Sequence, residues 1–217
     1  MGTPGVVAQA IAAGLRALAY CAPATGALPE RIEVEKIGEF AFPRRLVVAG
    51  EGLHLQPMVL LAHRVLWPDR SLIVDTAMGP AAAKKMPGSK LDAGAFERLQ
   101  AAMKKASLIV FTHEHVDHVG GVASAPDFPA IAKQVRITRE QLDSPKLERG
   151  DFPPGALASL EPLVFDGLYA LAPGVVLQKA PGHSPGSQLI VIVAHDPIAL
   201  ASDLQAGLYT QGFSGLP

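Results

Sequence analysis

The chain has 217 residues, 49% of them hydrophobic, enough for one sizeable core, so one compact unit after a short N-terminal segment is expected. Nineteen Lys and Arg stand against 20 Asp and Glu, and a formal charge of -1 supplies no basic field to gather nucleic acid, which is excluded as a partner. The single cysteine, Cys21, rules out an intramolecular disulfide, and the 21 glycines and 19 prolines lie scattered between apolar runs, as in a fold of short elements and many turns.

The first expected element is Val6–Tyr20, Ala-rich and apolar, read as a packed or peripheral helix. With Arg16 inside it, it is short for a membrane span, and it lacks the basic start of an export signal, so a cytoplasmic location is favoured slightly over export or membrane anchoring. Residues 1–28 are therefore set apart as helix and linker, and residues 29–217 as the domain. Partial alternation in Arg31–Phe42 and the β-rich run Pro57–Trp67 predict strands, and Ser71–Asp75 predicts a short buried strand ending on a carboxylate. Thr76–Gly88, with its Gly, Pro and Lys, reads as a mobile loop. Leu91–Ala106 places Leu91, Ala95, Phe96, Leu99, Ala102 and Met103 on one face of an amphipathic helix. Ser107–Phe111 is too short and too β-branched for another helix and reads as a strand. Beyond it, Pro129–Val135, Arg139–Asp143 and Ala156–Leu160 predict short helices, and Val175–Lys179, Gln188–Val193 and Ile198–Ala201 predict strands. The order fits a layered α/β architecture with sheets covered by helices.

The chemistry concentrates in THEHVDHVGG, Thr112–Gly121, expected on the loop that follows the Ser107–Phe111 strand. In extended or turning backbone, residues two apart share a side, so His113 and His115 can present imidazoles to one ion. Asp117 and His118 follow at once and can serve a second ion or hold a water on the first. Imidazole with carboxylate suits zinc and also admits iron or manganese. A lone histidine would read as a solvated or core residue; this density of ligand types in six residues does not. A zincin motif fails because the fifth position from His113 is Asp117 and because Gly120–Gly121 argues against a helix. A (β/α)₈ barrel of the amidohydrolase type needs ~250 residues or more.

Thr112–Gly121 resembles the first metal motif of the metallo-β-lactamase-fold hydrolases. APGHSPGSQ, Ala180–Gln188, resembles the family's next motif, and ASD, Ala201–Asp203, resembles the later one. The resemblance runs from about Val59 to Leu204 in the right order and implies a four-layer αββα sandwich with a one- or two-metal site between its sheets. It implies that His183 completes the first ion's ligands with His113 and His115. It implies further that Asp203 bridges to a second ion held by Asp117 and His118, and that Asp75 supports the site from behind. Members with two metals normally have a further histidine near the C-terminus, whereas no histidine follows His195 here, so either an incomplete C-terminal part, the favoured reading, or a weakened second site is expected.

The implied activity is hydrolysis of a small-molecule carboxylic ester, lactone or thioester by a hydroxide held on zinc, one ion or two, with Asp117 orienting it. The rival readings are a di-iron redox relative, to which Glu114 corresponds only loosely, and a non-catalytic metal-binding descendant. His54, His63 and His195 belong to no motif and read as structural or solvated, and Ser184 has no base to activate it as a nucleophile.

Overall fold

The computed structural model describes residues 26–46, 50–147, 151–194 and 197–200, the last four as backbone only. Val6–Tyr20 and Asp203 lie outside the described residues. Among the described residues, two sheets and a set of helices form three layers of the expected αββα sandwich. The first sheet contains β1 (Arg31–Pro43), β2 (Leu55–Leu66), β3 (Ser71–Val74), β4 (Lys90–Leu91), β5 (Leu108–Val110) and β6 (Val135–Arg136) in the order β4-β1-β2-β3-β5-β6. The second contains β7 (Leu168–Ala172), β8 (Val175–Lys179), β9 (Gln188–Val193) and β10 (Pro197–Leu200), antiparallel in the order β10-β9-β8-β7. The helices are α1 (Pro80–Lys85), α2 (Ala93–Lys105), α3 (Val116–Ala123), α4 (Phe128–Ala132) and α5 (Arg139–Leu142).

Alternation in the central strands builds two cores on opposite faces of the first sheet. Ile73 and Ile109 face the helices, where they join Ile37, Leu60, Leu99, Met103 and Phe111. Leu72, Val74 and Val110 face the second sheet and meet Val175, Leu177, Ile190 and Ile192, with Val65 and Trp67 alongside. Strands covered on both faces read as unbroken apolar runs, which is why SLIV, LIV and QLIVIV look alike.

Two differences from the sequence reading bear on the site. Thr76–Gly88 is not a mobile loop: Thr76, Ala77 and Met78 are fully buried, and α1 begins at Pro80, whose fixed φ suits the first helical turn. The second half of the histidine cluster is not loop either, since α3 starts right after His115. The glycine pair that argued against a helix is there for packing. A Cβ on Gly120 would stand 2.5 Å from the Gly79 nitrogen, and one on Gly121 would stand 2.2 Å from the Thr76 carbonyl oxygen. Glycine at these two positions is what lets the helix lie directly on the 76–79 backbone.

Candidate metal centre

The parallel pairing of β3 with β5 puts Asp75 and Thr112 side by side just past the C-terminal ends of their strands. Asp75 takes the left-handed φ of 57°, and Ala77 one of 56°, conformations that cost a non-glycine residue about 1–2 kcal/mol each and need outside support. The support is visible. Asp75 donates its N–H to the Val110 carbonyl at 3.0 Å, while its carboxylate accepts the Thr112 N–H and the Thr112 hydroxyl, each at 2.8 Å.

The same carboxylate reaches His118 Nδ1 at 3.0 Å. A proton on Nδ1 donated to Asp75 turns His118 Nε2 the other way, where it lies 3.6 Å from Asp117 Oδ2. Because its own hydrogen goes to Asp75, the Thr112 oxygen is left as an acceptor 3.3 Å from both His113 Nδ1 and His118 Nδ1. Asp75 thus supports the histidines through His118 and Thr112.

His113, His115 and His183 converge: each offers one ring nitrogen, and those atoms all lie within 4.8 Å of one another. His183 Nε2 is 2.9 Å from His115 Nδ1, and the ring centroids are 4.6 Å apart for His113 and His115, 4.8 Å for His113 and His183, and 4.5 Å for His115 and His183. Edge-on rings presenting nitrogens to one point are what a divalent ion of imidazole preference needs. Burial holds the His113 imidazole far below the usual histidine range, with a further push from His118, and burial together with His183 lowers His115. Neutral imidazoles are the ligating form.

His183 arrives from the other sheet, on the 180–187 loop between β8 and β9. Ala180 N–H donates to the Ser187 carbonyl at 3.0 Å, and Gln188 N–H donates to the Thr112 carbonyl at 2.9 Å, so the loop is closed at its base and sewn to the first motif. Gln141, in the capping box that starts α5, donates from Nε2 to both the Phe111 and Gly186 carbonyls at 3.0 Å. No sequence pattern announced Gln141, although the Thr138–Gln141 spacing of a capping box was there to be read.

The structure therefore gathers His113, His115 and His183 into one group and sets Asp117, His118 and Asp75 beside it, the His118 ring 3.9 Å from that of His113. Glu114 stands apart from the three-histidine group: it is fully buried and accepts the Ser184 hydroxyl at 2.8 Å. His63 is half-buried on β2, its imidazole lowered by burial and partly restored by Asp75. Among the described residues, no helix is long and apolar enough to cross a membrane.

A layered α/β sandwich with a histidine-rich site at the strand ends, bridging two sheets, defines a class of metal-site proteins. Residues 65–202 match the family model described as the metallo-beta-lactamase superfamily, and the chain belongs to that superfamily. An N-acyl homoserine lactonase of Bacillus cereus is 32% identical over 84 residues, covering 39% of this chain and 32% of the relative. The chain thus matches about a third of that lactonase's length. A solved N-acyl homoserine lactone hydrolase, with its product N-hexanoyl-L-homoserine at the catalytic metal centre, superposes with TM-score 0.65 at 19% identity, over 82% of this chain and 76% of that one. AidC, a dizinc quorum-quenching lactonase, gives TM-score 0.58 at 17% identity, over 80% and 71% of the two chains. Both likenesses speak to the fold.

Proposed function

We propose that the chain is a metal-dependent hydrolase of carboxylic esters in the broad sense, with a lactone as the first choice and a thioester or open ester next. The observation that carries the reading is the convergence of the His113, His115 and His183 ring nitrogens to within 4.8 Å of one another. Similarity to N-acyl homoserine lactonases over about a third of their length supports placing a lactone first.

His113, His115 and His183 would hold the first ion, and zinc fits an all-imidazole set, with iron and manganese as alternatives. Asp117 and His118, with Asp203, would hold a second. Bound there, such an ion supplies Lewis acidity toward a carbonyl and makes a water acidic enough to ionise near neutral pH.

The remaining work belongs to side chains of this chain. Asp117, at the start of α3 beside the group, orients the attacking water and takes its proton, then returns it to the leaving oxygen. Asp75 fixes the His118 tautomer by accepting from Nδ1. Thr112, pinned to Asp75 by two hydrogen bonds, holds the motif backbone so that His113 and His115 share a side.

A panel of lactones, thioesters, β-lactams and aryl esters, assayed before chelation, after it and after zinc return, tests the proposal. Lactone hydrolysis lost on chelation and regained with zinc is the expected result. Turnover that survives complete metal removal would sink it.

A further inference from the structure

Glu114 is an anomaly that the hydrolytic scheme leaves unused. Glutamate is almost never fully buried unless paired, yet this one is 0% exposed, between two metal-ligand candidates. Its Oε2 accepts from the Ser184 hydroxyl at 2.8 Å, and its Oε1 is buried with no hydrogen-bond partner among the described residues. A buried carboxylate held by one neutral hydroxyl is a poor bargain for stability and needs another reason to be kept.

The partner's place in the chain supplies the reason. Ser184 follows His183 directly and is itself buried. The loop is folded around it: Ser184 N–H donates to Ser187 Oγ at 3.1 Å, and the Ser184 carbonyl accepts from Gly182 and Ser187 N–H, each at 3.3 Å. Gly186 is pressed onto the same carboxylate, for a Cβ there would meet Glu114 Oε2 at 2.6 Å and Gln141 Cγ at 2.3 Å. Glu114 alternates with His113 and His115 along the motif, so its side chain departs from the side the two imidazoles share and passes under the loop that brings His183.

We infer that Glu114 is a positioning residue for the metal centre: through the Ser184 hydroxyl it sets where His183 stands against His113 and His115. This rests on the reading that those three histidines hold an ion. Residues that orient ligands in this manner typically change metal affinity by about 10–100-fold when removed.

The test is zinc affinity of the full chain by chelator competition, beside urea unfolding of the apoprotein, for Glu114→Ala, Glu114→Gln, Ser184→Ala and the Glu114→Ala/Ser184→Ala double variant. Glu114→Ala and Ser184→Ala should each weaken zinc binding by about tenfold or more. The double variant should be no weaker than the worse single one, because both remove one link. Glu114→Gln, whose amide oxygen still accepts from Ser184, should stay near wild type. Lowered apoprotein stability with unchanged zinc affinity would overturn the inference, as would losses that multiply in the double variant. A Glu114→Gln loss equal to that of Glu114→Ala would overturn it too, since charge instead of the hydrogen bond would then be at work. His183→Ala separates the two layers of the argument. If it leaves zinc affinity unchanged, the three-histidine reading itself fails; if it abolishes binding while Glu114→Ala and Ser184→Ala do not weaken it, only the positioning role fails.

Discussion

The two halves of the candidate metal centre are held in different ways. The half on the first sheet, His113, His115 and His118, is fixed by backbone: parallel strands, two left-handed residues and a helix laid on bare main chain through Gly120 and Gly121. The half on the second sheet, His183, sits on a loop fastened largely by side chains, through Ser184 to Glu114 and through Gln141 to the Gly186 carbonyl. Backbone fastening tolerates no added volume; side-chain fastening can be loosened one bond at a time. Added volume under the first half should therefore show as a folding defect, and a lost side-chain bond under the second as a binding defect.

The largest effect should come from His113→Ala, which removes one of the three converging imidazoles and should abolish zinc retention and turnover, as measured by elemental analysis and the lactone assay. Gly121→Ala attacks the backbone half. Glycine to alanine inside a helix ordinarily stabilises by about 1 kcal/mol. Here the added carbon would lie 2.2 Å from a carbonyl oxygen, and overpacking should reverse the sign to a loss of about 1–3 kcal/mol in urea unfolding. A stabilised Gly121→Ala protein would show that the helix does not rest on Thr76.

Asp75→Asn tolerates the left-handed backbone but replaces one acceptor oxygen with a donor facing Thr112 and His118. A fall of about 10–100-fold in affinity for a second metal equivalent, with the first less affected, is expected from stepwise titration. The pH response follows from the buried imidazoles. His63, His113 and His115 have folded-state values below the unfolded 6.5, so between those values the unfolded chain binds more protons. Apoprotein stability should be flat above about pH 6.5 and fall below it, by up to about 1.4 kcal/mol per pH unit for each histidine, as followed by denaturant midpoints from pH 8 to 5. Smallest is Asp92→Ala, which removes the cap that accepts the Ala95 N–H at 2.9 Å and should cost about 1 kcal/mol without touching zinc affinity.

How far the sequence shows this structure depends on whether a signal is local. Val175–Lys179 and Gln188–Val193 have the bounds read from the sequence, because Val175–Leu177 and Leu189–Ile192 are apolar and buried throughout. The helix at Ala93–Lys105 follows from spacing alone. Leu168–Ala172 was invisible, since LYALA owes its strand to pairing with β8 and not to β-branched residues. PAAAKK was hidden among glycines and prolines that suggested loop, although Pro80 marks a first helical turn. The cluster THEHVDHVGG reads as a metal site from residue types, yet its helical second half depends on Thr76 lying against the glycines, a contact between residues more than forty apart. The Glu114–Ser184 bond is likewise tertiary, between residues seventy apart, and has no local signal.

Thr76 carries one more consequence. Its N–H and hydroxyl both donate to the His118 carbonyl, at 2.7 and 2.9 Å, and its hydroxyl oxygen accepts the Val122 N–H at 3.2 Å. The hydroxyl bridges the carbonyl of residue 118 and the N–H of residue 122, one helical turn apart, so α3 cannot shift along its axis without breaking bonds to the segment that follows β3. Exchange of the Thr76 and Val122 amide hydrogens with deuterated solvent should therefore await global unfolding, while those of Gly182 and Ser184 exchange through local opening of their loop. The motif helix and the Asp75 turn then behave as one rigid body against which the His183 loop adjusts.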